Sequence, residues 1–278
     1  ELKIKMYSEK EHNIFWSAGV DSTYWVCKKL IIDKEPIETY YLDFPCDGID
    51  TTGWSWRKGM VIGGGRFTRD IEKKVMSNLR NQIIDSFPYT KELFPEVVMV
   101  EEFELEDSVI QSIEYLSETY NHSRRIIDQN TFMAQYTLNR KEFFDVCYEG
   151  DLYGTLSVSA DNLPDDHPSI TAGYSPSTRL LRENMNDDFT ISHSEIKELD
   201  IYKYWKFPLS KTYRREMIRN SLEYGFKEIL ENTWSCRWPS ENGDICNEWP
   251  CVNSCIEFQD DIDVDFKRKI NYNDILND

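Results

Sequence analysis

The chain has 278 residues, 40% hydrophobic and 14% aromatic, a composition that fills one large globular domain and leaves room for a small appendage. Its 32 Lys and Arg face 50 Asp and Glu, a formal net charge of −18; a field of that sign repels polyanions and argues against extended nucleic-acid contact. No apolar run approaches the roughly 18 residues of a membrane span, so no membrane partner is expected.

Residues 1–6 alternate like a strand and lack an apolar signal core, which sets the expectation of a cytoplasmic protein. Ile14, Phe15 and Trp16 then form the short apolar run of a buried parallel strand. Asp21, Ser22 and Thr23 supply helix-starting side chains where that run stops. The helix extends to about Ile32, with Trp25, Val26, Leu30 and Ile31 at spacings of three to four. Residues 38–44 read as a second strand, parallel to the first across a βαβ crossover. Glycines punctuate 46–66, and the run Gly63, Gly64, Gly65 reads as a mobile loop or a phosphate cradle. A helix is expected over 69–87, with Ile71, Val75, Leu79, Ile83 and Ile84 on one face, ended by Pro88. A third strand covers 97–100, and the acidic residues of 101–107 read as a solvated edge.

A long helix is expected from within 126–130 to about Tyr148, its aromatic face (Phe132, Met133, Tyr136, Phe143, Phe144, Val146) turned to the core. A fourth strand over 156–161 places Asp161 at its carboxyl end, where open parallel sheets bind ligands. His167, in the polar loop that follows, is an acid, base or ligand, or simply solvated. Residues 202–208 read as the last strand, and Thr212 caps a helix over 214–224 that ends at Gly225. Strands and helices alternate throughout, so the expected fold is α/β, a Rossmann-like doubly wound parallel sheet.

The turn after the first strand, Ser17, Ala18, Gly19, Val20, Asp21, Ser22 and Thr23, joins small residues to a helix start. Its amides converge with those of the first helical turn, which suits a phosphate, and Ser17, Ser22 and Thr23 can add hydroxyls. An ordinary βα turn capped by Asp21 would read the same way. Four of the seven cysteines, Cys236, Cys246, Cys251 and Cys255, follow a Cys-x9-Cys-x4-Cys-x3-Cys pattern. Four thiolates satisfy a closed structural zinc site, an iron–sulfur cluster accepts the same set, and buried free thiols remain an alternative.

The order Ser-Ala-Gly-Val-Asp-Ser resembles the Ser-Gly-Gly-x-Asp-Ser loop of the PP-loop ATP pyrophosphatases, with Ala18 at the first glycine. Thr233-Trp234-Ser235-Cys236, opening the cysteine segment, extends the resemblance to the QueC family, the 7-cyano-7-deazaguanine synthases. Asp128-Gln129-Asn130 is similar to the family's Gly-Arg-Asn segment, and Arg214-Arg215-Glu216-Met217 to its Lys-x-Glu-Ile helix start.

The resemblance implies a PP-loop domain over 1–230 and a zinc-binding segment with an acidic tail over 231–278. It implies ATP with Mg2+ on residues 17–23 and structural Zn2+ on the four cysteines. Ser17, Asp21, Ser22 and Arg214 would carry catalysis, with Asn130, Asp161 and His167 near the substrate. The implied activity is that of a C–N ligase: adenylation of the carboxylate of 7-carboxy-7-deazaguanine, then acyl transfer to ammonia or to an amine of a partner protein, the latter resembling QueC-like proteins of antiphage systems. A homodimer is compatible with this. Gln129 in place of arginine, and Asp165-Asp166-His167-Pro168 in place of the family's substrate loop, leave the acid and acceptor open. A PP-loop tRNA thiolase and a non-catalytic nucleotide sensor are the alternatives.

Overall fold

The computed structural model describes residues 12–43, 69–120, 129–147, 180–181, 183–191, 195–212 and 214–234. Five short strands make one parallel sheet: β1 (His12–Phe15), β2 (Ile37–Leu42), β3 (Val98–Val100), β4 (Phe144–Asp145) and β5 (Trp205–Lys206), in the spatial order β3-β2-β1-β4-β5. The chain steps outward from β1 through β2 to β3, then crosses back to place β4 on the other side of β1. The two neighbours of β1 are therefore reached by connections leading in opposite directions. That arrangement opens a crevice at the carboxyl ends of β1 and β4, the switch point at which open α/β sheets bind ligands.

Alternation along the strands builds two cores. Ile14, Trp16 and Tyr41 pack on one face with α1 (Val20–Cys27), α2 (Arg69–Ser86), α5 (Arg214–Glu223) and α6 (Lys227–Glu231). Phe15, Tyr40, Leu42 and Phe144 pack on the other with α3 (Asp107–Tyr120), α4 (Gln129–Arg140) and Trp205. The architecture is an α/β sheet of Rossmann-like order with helices on both faces. Among the described residues, no helix is long and apolar enough to cross a membrane.

The expected helix after β1 is present but changes pitch. From Lys28 to Asp33 it widens into a π-helical turn, closed by left-handed Lys34 (φ 57°). Lys28 and Lys29 both reach back to Asp33, at 2.8 and 3.1 Å, and Lys29 also reaches Glu35 at 2.8 Å. In α2, Ile71, Val75, Leu79 and Ile83 are buried as the periodicity predicts, with Met76 beside them.

Three expectations are corrected. The helix expected to run to Tyr148 stops at Arg140, because Lys141 turns left-handed (φ 56°) and reverses the chain. Phe144 then belongs to β4, not to a helix face, and stacks on Phe15 at 4.9 Å between ring centres. The acidic stretch ahead of residue 107 is solvated as expected, but it leads into α3, a helix the sequence reading left out; Val109, Ile113 and Leu116 anchor it. The last strand is confined to Trp205–Lys206, since Lys197–Tyr202 forms a tight helical turn. The strand expected over 156–161 and the glycine run of 63–65 lie outside the described residues.

Candidate active site at the carboxyl end of β1

The chain leaves β1 at Trp16, whose amide still donates to the Tyr40 carbonyl at 2.9 Å and so continues the ladder one residue beyond the strand. Ala18 then turns left-handed, with φ 57°. This makes Ala18 the strained residue of the loop, because the Cβ of an L-residue costs roughly 1–2 kcal/mol in that region. Gly19 has an ordinary extended backbone (φ −73°, ψ 161°), and a Cβ added there would come no closer than 3.4 Å to Ser17 Oγ. The one position of the loop that calls for glycine's freedom thus carries alanine.

What holds Ala18 in this conformation lies far along the chain. Its carbonyl accepts the Trp234 amide at 2.9 Å, and Trp234 is buried in the same core as Trp16, Val20 and Phe226. Within the loop, the Ser22 hydroxyl donates to the Gly19 carbonyl (3.3 Å) and faces the Ser17 amide (3.4 Å). The Thr23 hydroxyl accepts the Trp16 indole N–H at 3.0 Å and is fully buried. Ser22 and Thr23 therefore brace the turn from inside.

The loop presents Ser17, Gly19 and Asp21 outward, each half-buried, while Ala18, Val20, Ser22 and Thr23 face inward. The first helical hydrogen bond runs from the Thr23 amide to the Gly19 carbonyl. The amides of Val20, Asp21 and Ser22 precede that bond and lie outside the helix's own ladder, in the position of anion-binding groups at a helix start. With the Ser17 hydroxyl, they fit a phosphate and offer donors without a charged side chain.

Across the crevice stands the end of β4. Burial pushes the Cys147 thiol well above its ordinary range, and the carboxylates of Asp145 and Asp21 add to the effect. Cys147 follows β4 and packs against the core on the α1 side of the sheet; nothing in its residue type or spacing marked it. Asp145 is buried and points toward the opposite end of α1. Its carboxylate accepts the Trp25 indole N–H at 2.8 Å and lies 3.3 Å from His12 Nδ1.

The other expected site residues are placed only in part. Asn130 is in the first turn of α4, and Arg214 opens α5, its side chain outside what is described. Asp161, His167, Cys236, Cys246, Cys251 and Cys255 lie outside the described residues, and among those described no group of His, Cys, Asp and Glu forms a metal site. Trp234, two residues before Cys236, brings the cysteine segment's entry to the loop. No family model matches the chain, and no curated protein or solved structure is found to be similar to it.

Proposed function

We propose that this protein is an ATP-dependent, AMP-forming enzyme of QueC type. It activates the carboxylate of a 7-deazaguanine acid, with 7-carboxy-7-deazaguanine the leading candidate, and passes the acyl group to an amine. The observation that carries the reading is the contact between the 17–23 loop, at the switch point of a parallel sheet, and Trp234 of the Thr-Trp-Ser-Cys run. These are the two sequence landmarks of the resemblance, far apart in the chain and adjacent in the fold.

A carboxylate is a poor electrophile, so the chemistry needs a leaving group. A carboxylate oxygen attacks the α-phosphorus of ATP, pyrophosphate departs, and the acyl-adenylate forms. The amine then attacks the acyl carbon, and AMP leaves. The loop's contribution is positioning and electrostatics: fixed amides and the Ser17 hydroxyl hold the phosphates in line without having to reorganise. Asp21, partly exposed in the same loop, is the carboxylate that would hold a magnesium ion brought with ATP, as hard oxygen ligands suit that ion. In the same reading, the four cysteines hold a structural zinc ion and take no part in the steps.

Product analysis tests this. Incubation with ATP, magnesium and 7-carboxy-7-deazaguanine is expected to give AMP and pyrophosphate in equal amounts, dependent on the acid. ADP and phosphate, or no turnover with any deazaguanine acid, would refute it. Supplying ammonia or a co-expressed partner protein, with mass spectrometry of the products, separates the two acceptors.

A further inference from the structure

A nucleoside triphosphate brings a concentrated negative charge to a protein whose own net charge is −18, and backbone amides alone do not neutralise it. Lys28 and Lys29, at the far end of α1, are ion-paired with Asp33 and Glu35. Arg69 and Lys73, in the first turns of α2, are instead paired with Asp43 at the carboxyl end of β2, the strand next to β1.

Asp43 holds both. It follows β2 directly, and its amide still donates to the Val100 carbonyl. The pairing of β1 with β2 runs from His12 opposite Ile37 to Phe15 opposite Tyr40, and the Trp16 amide carries it on to the Tyr40 carbonyl, so Asp43 leaves the sheet at the same carboxyl end as the 17–23 loop. Alternation puts the Asp43 side chain on the face of Tyr41, which packs with α1 and α2. The Tyr41 hydroxyl donates to Glu72 at 2.6 Å and so fixes the start of α2 above the end of β2.

Lys73 Nζ lies 3.0 Å from Asp43 Oδ1 and 3.4 Å from Asp70 Oδ1; Arg69 Nε lies 3.4 Å from the same Asp43 oxygen. The lysine's aligned hydrogen bond goes instead to Oδ2, at 3.3 Å. That bond to Asp43 raises the Lys73 ammonium above its ordinary value. Among the described residues, Oδ1 is buried with two cations near it and no aligned hydrogen bond. Both cations keep about a third of their side-chain surface exposed, 35% and 30%. This is a loose arrangement, with two flexible cations sharing one carboxylate beside an anion loop.

We infer that Arg69 and Lys73 are the groups that take the β- and γ-phosphate oxygens of a triphosphate held by the 17–23 loop, and that Asp43 parks them when the site is empty. The inference rests on the ATP-binding reading above and adds its charge-neutralising residues. Asp43 and Asp70 offset the two cations. When the polyanion arrives, the cations exchange a shared carboxylate for phosphate oxygens, and charge-assisted bonds of that kind are the strong class.

Calorimetric titration with inorganic pyrophosphate, ATP and AMP, each with magnesium, tests it on wild type and on Arg69→Gln, Lys73→Gln, Lys73→Arg and Asp43→Asn. Each glutamine variant is expected to weaken pyrophosphate and ATP about 10-fold and AMP less than 2-fold, since a hydrogen bond to a charged group is worth at least that factor. Lys73→Arg should recover most of the loss, and Asp43→Asn should leave pyrophosphate binding equal or tighter. Glutamine variants that melt like wild type and bind pyrophosphate within 2-fold of it would overturn the assignment while leaving the ATP reading intact. A loss equal for AMP and ATP, or pyrophosphate binding lost in Asp43→Asn, would also overturn it, by making the cluster a nucleoside contact or a brace. Wild type that binds neither ATP nor pyrophosphate would remove both readings.

Discussion

Replacing Trp234 with alanine should both destabilise the protein and loosen its loop. The indole is 3% exposed, and truncating a buried Trp to Ala costs about 3–5 kcal/mol through lost transfer energy and the cavity left behind. At roughly 2–4 °C per kcal/mol for a domain of this order of size, the melting temperature should fall by about 6–20 °C. Alanine keeps the backbone N–H that reaches the Ala18 carbonyl, but the segment presenting it loses its anchor. The left-handed Ala18 then gives up a bond worth about 0.5–1.5 kcal/mol, so ATP affinity, measured well below the melting range, should drop about 2- to 10-fold. Thermal unfolding by circular dichroism and calorimetry with ATP provide the two readouts. A shift under about 3 °C would contradict the packing described for Trp234. A full loss of stability with unchanged ATP affinity would show that Trp234 fills the core without bracing the loop.

Ala18→Val should cost at least about 2 kcal/mol by denaturant titration, because a β-branched residue is badly suited to φ 57° and the added methyls would have to enter a fully buried position. Ala18→Gly should stay within about 1 kcal/mol of wild type, since relief of the left-handed strain is offset by greater unfolded-chain freedom. Trp25→Phe removes the indole donor to buried Asp145 and should cost about 1.5–3 kcal/mol in the same assay. The π-helical turn should make the protein acid-sensitive. Burial pushes Asp33 up, but hydrogen bonds from Lys28 and Lys29 outweigh it and leave the carboxyl below its usual value; the Lys29 bond lowers Glu35 as well. Carboxyls depressed in the folded state contribute stability that is present above about pH 4 and lost as pH falls through their folded values. Stability measured from pH 6 to 2 should decline, and Lys29→Met should flatten that decline.

The parts of the fold legible in sequence were those with a sustained period. Helix α2 is 18 residues long with an uninterrupted apolar stripe, and the β1, loop and α1 succession is marked by composition change alone. The pieces that were lost are short or lack a breaker. β4 is two residues inside an aromatic stretch, and the turn separating it from α4 uses a left-handed lysine where a glycine would have announced the boundary. Helix α3 carried its Val109, Ile113, Leu116 spacing in plain view, but the acidic run ahead of it drew the reading toward a surface edge. Missing β4 also hid the switch point, since the crevice exists only because β4 returns to the far side of β1. In the site, residue types identified the loop, and local spacing could not reveal what surrounds it. Asp43, Arg69 and Lys73 come together only through the packing of α2 over the end of β2, and Trp234 reaches Ala18 only through the packing of α6 and the chain beyond it. The positive φ of Ala18 is a property of the folded turn that alanine does not signal.

The central claim, that the loop holds ATP for attack at its α-phosphate by a carboxylate, is tested most directly by isotope exchange. With labelled pyrophosphate, unlabelled ATP, magnesium and 7-carboxy-7-deazaguanine, and with no amine present, label should enter ATP only when the acid is added, because adenylation is reversible. Exchange that ignores the acid, or its absence in a protein shown to bind both ATP and the acid, would contradict the account.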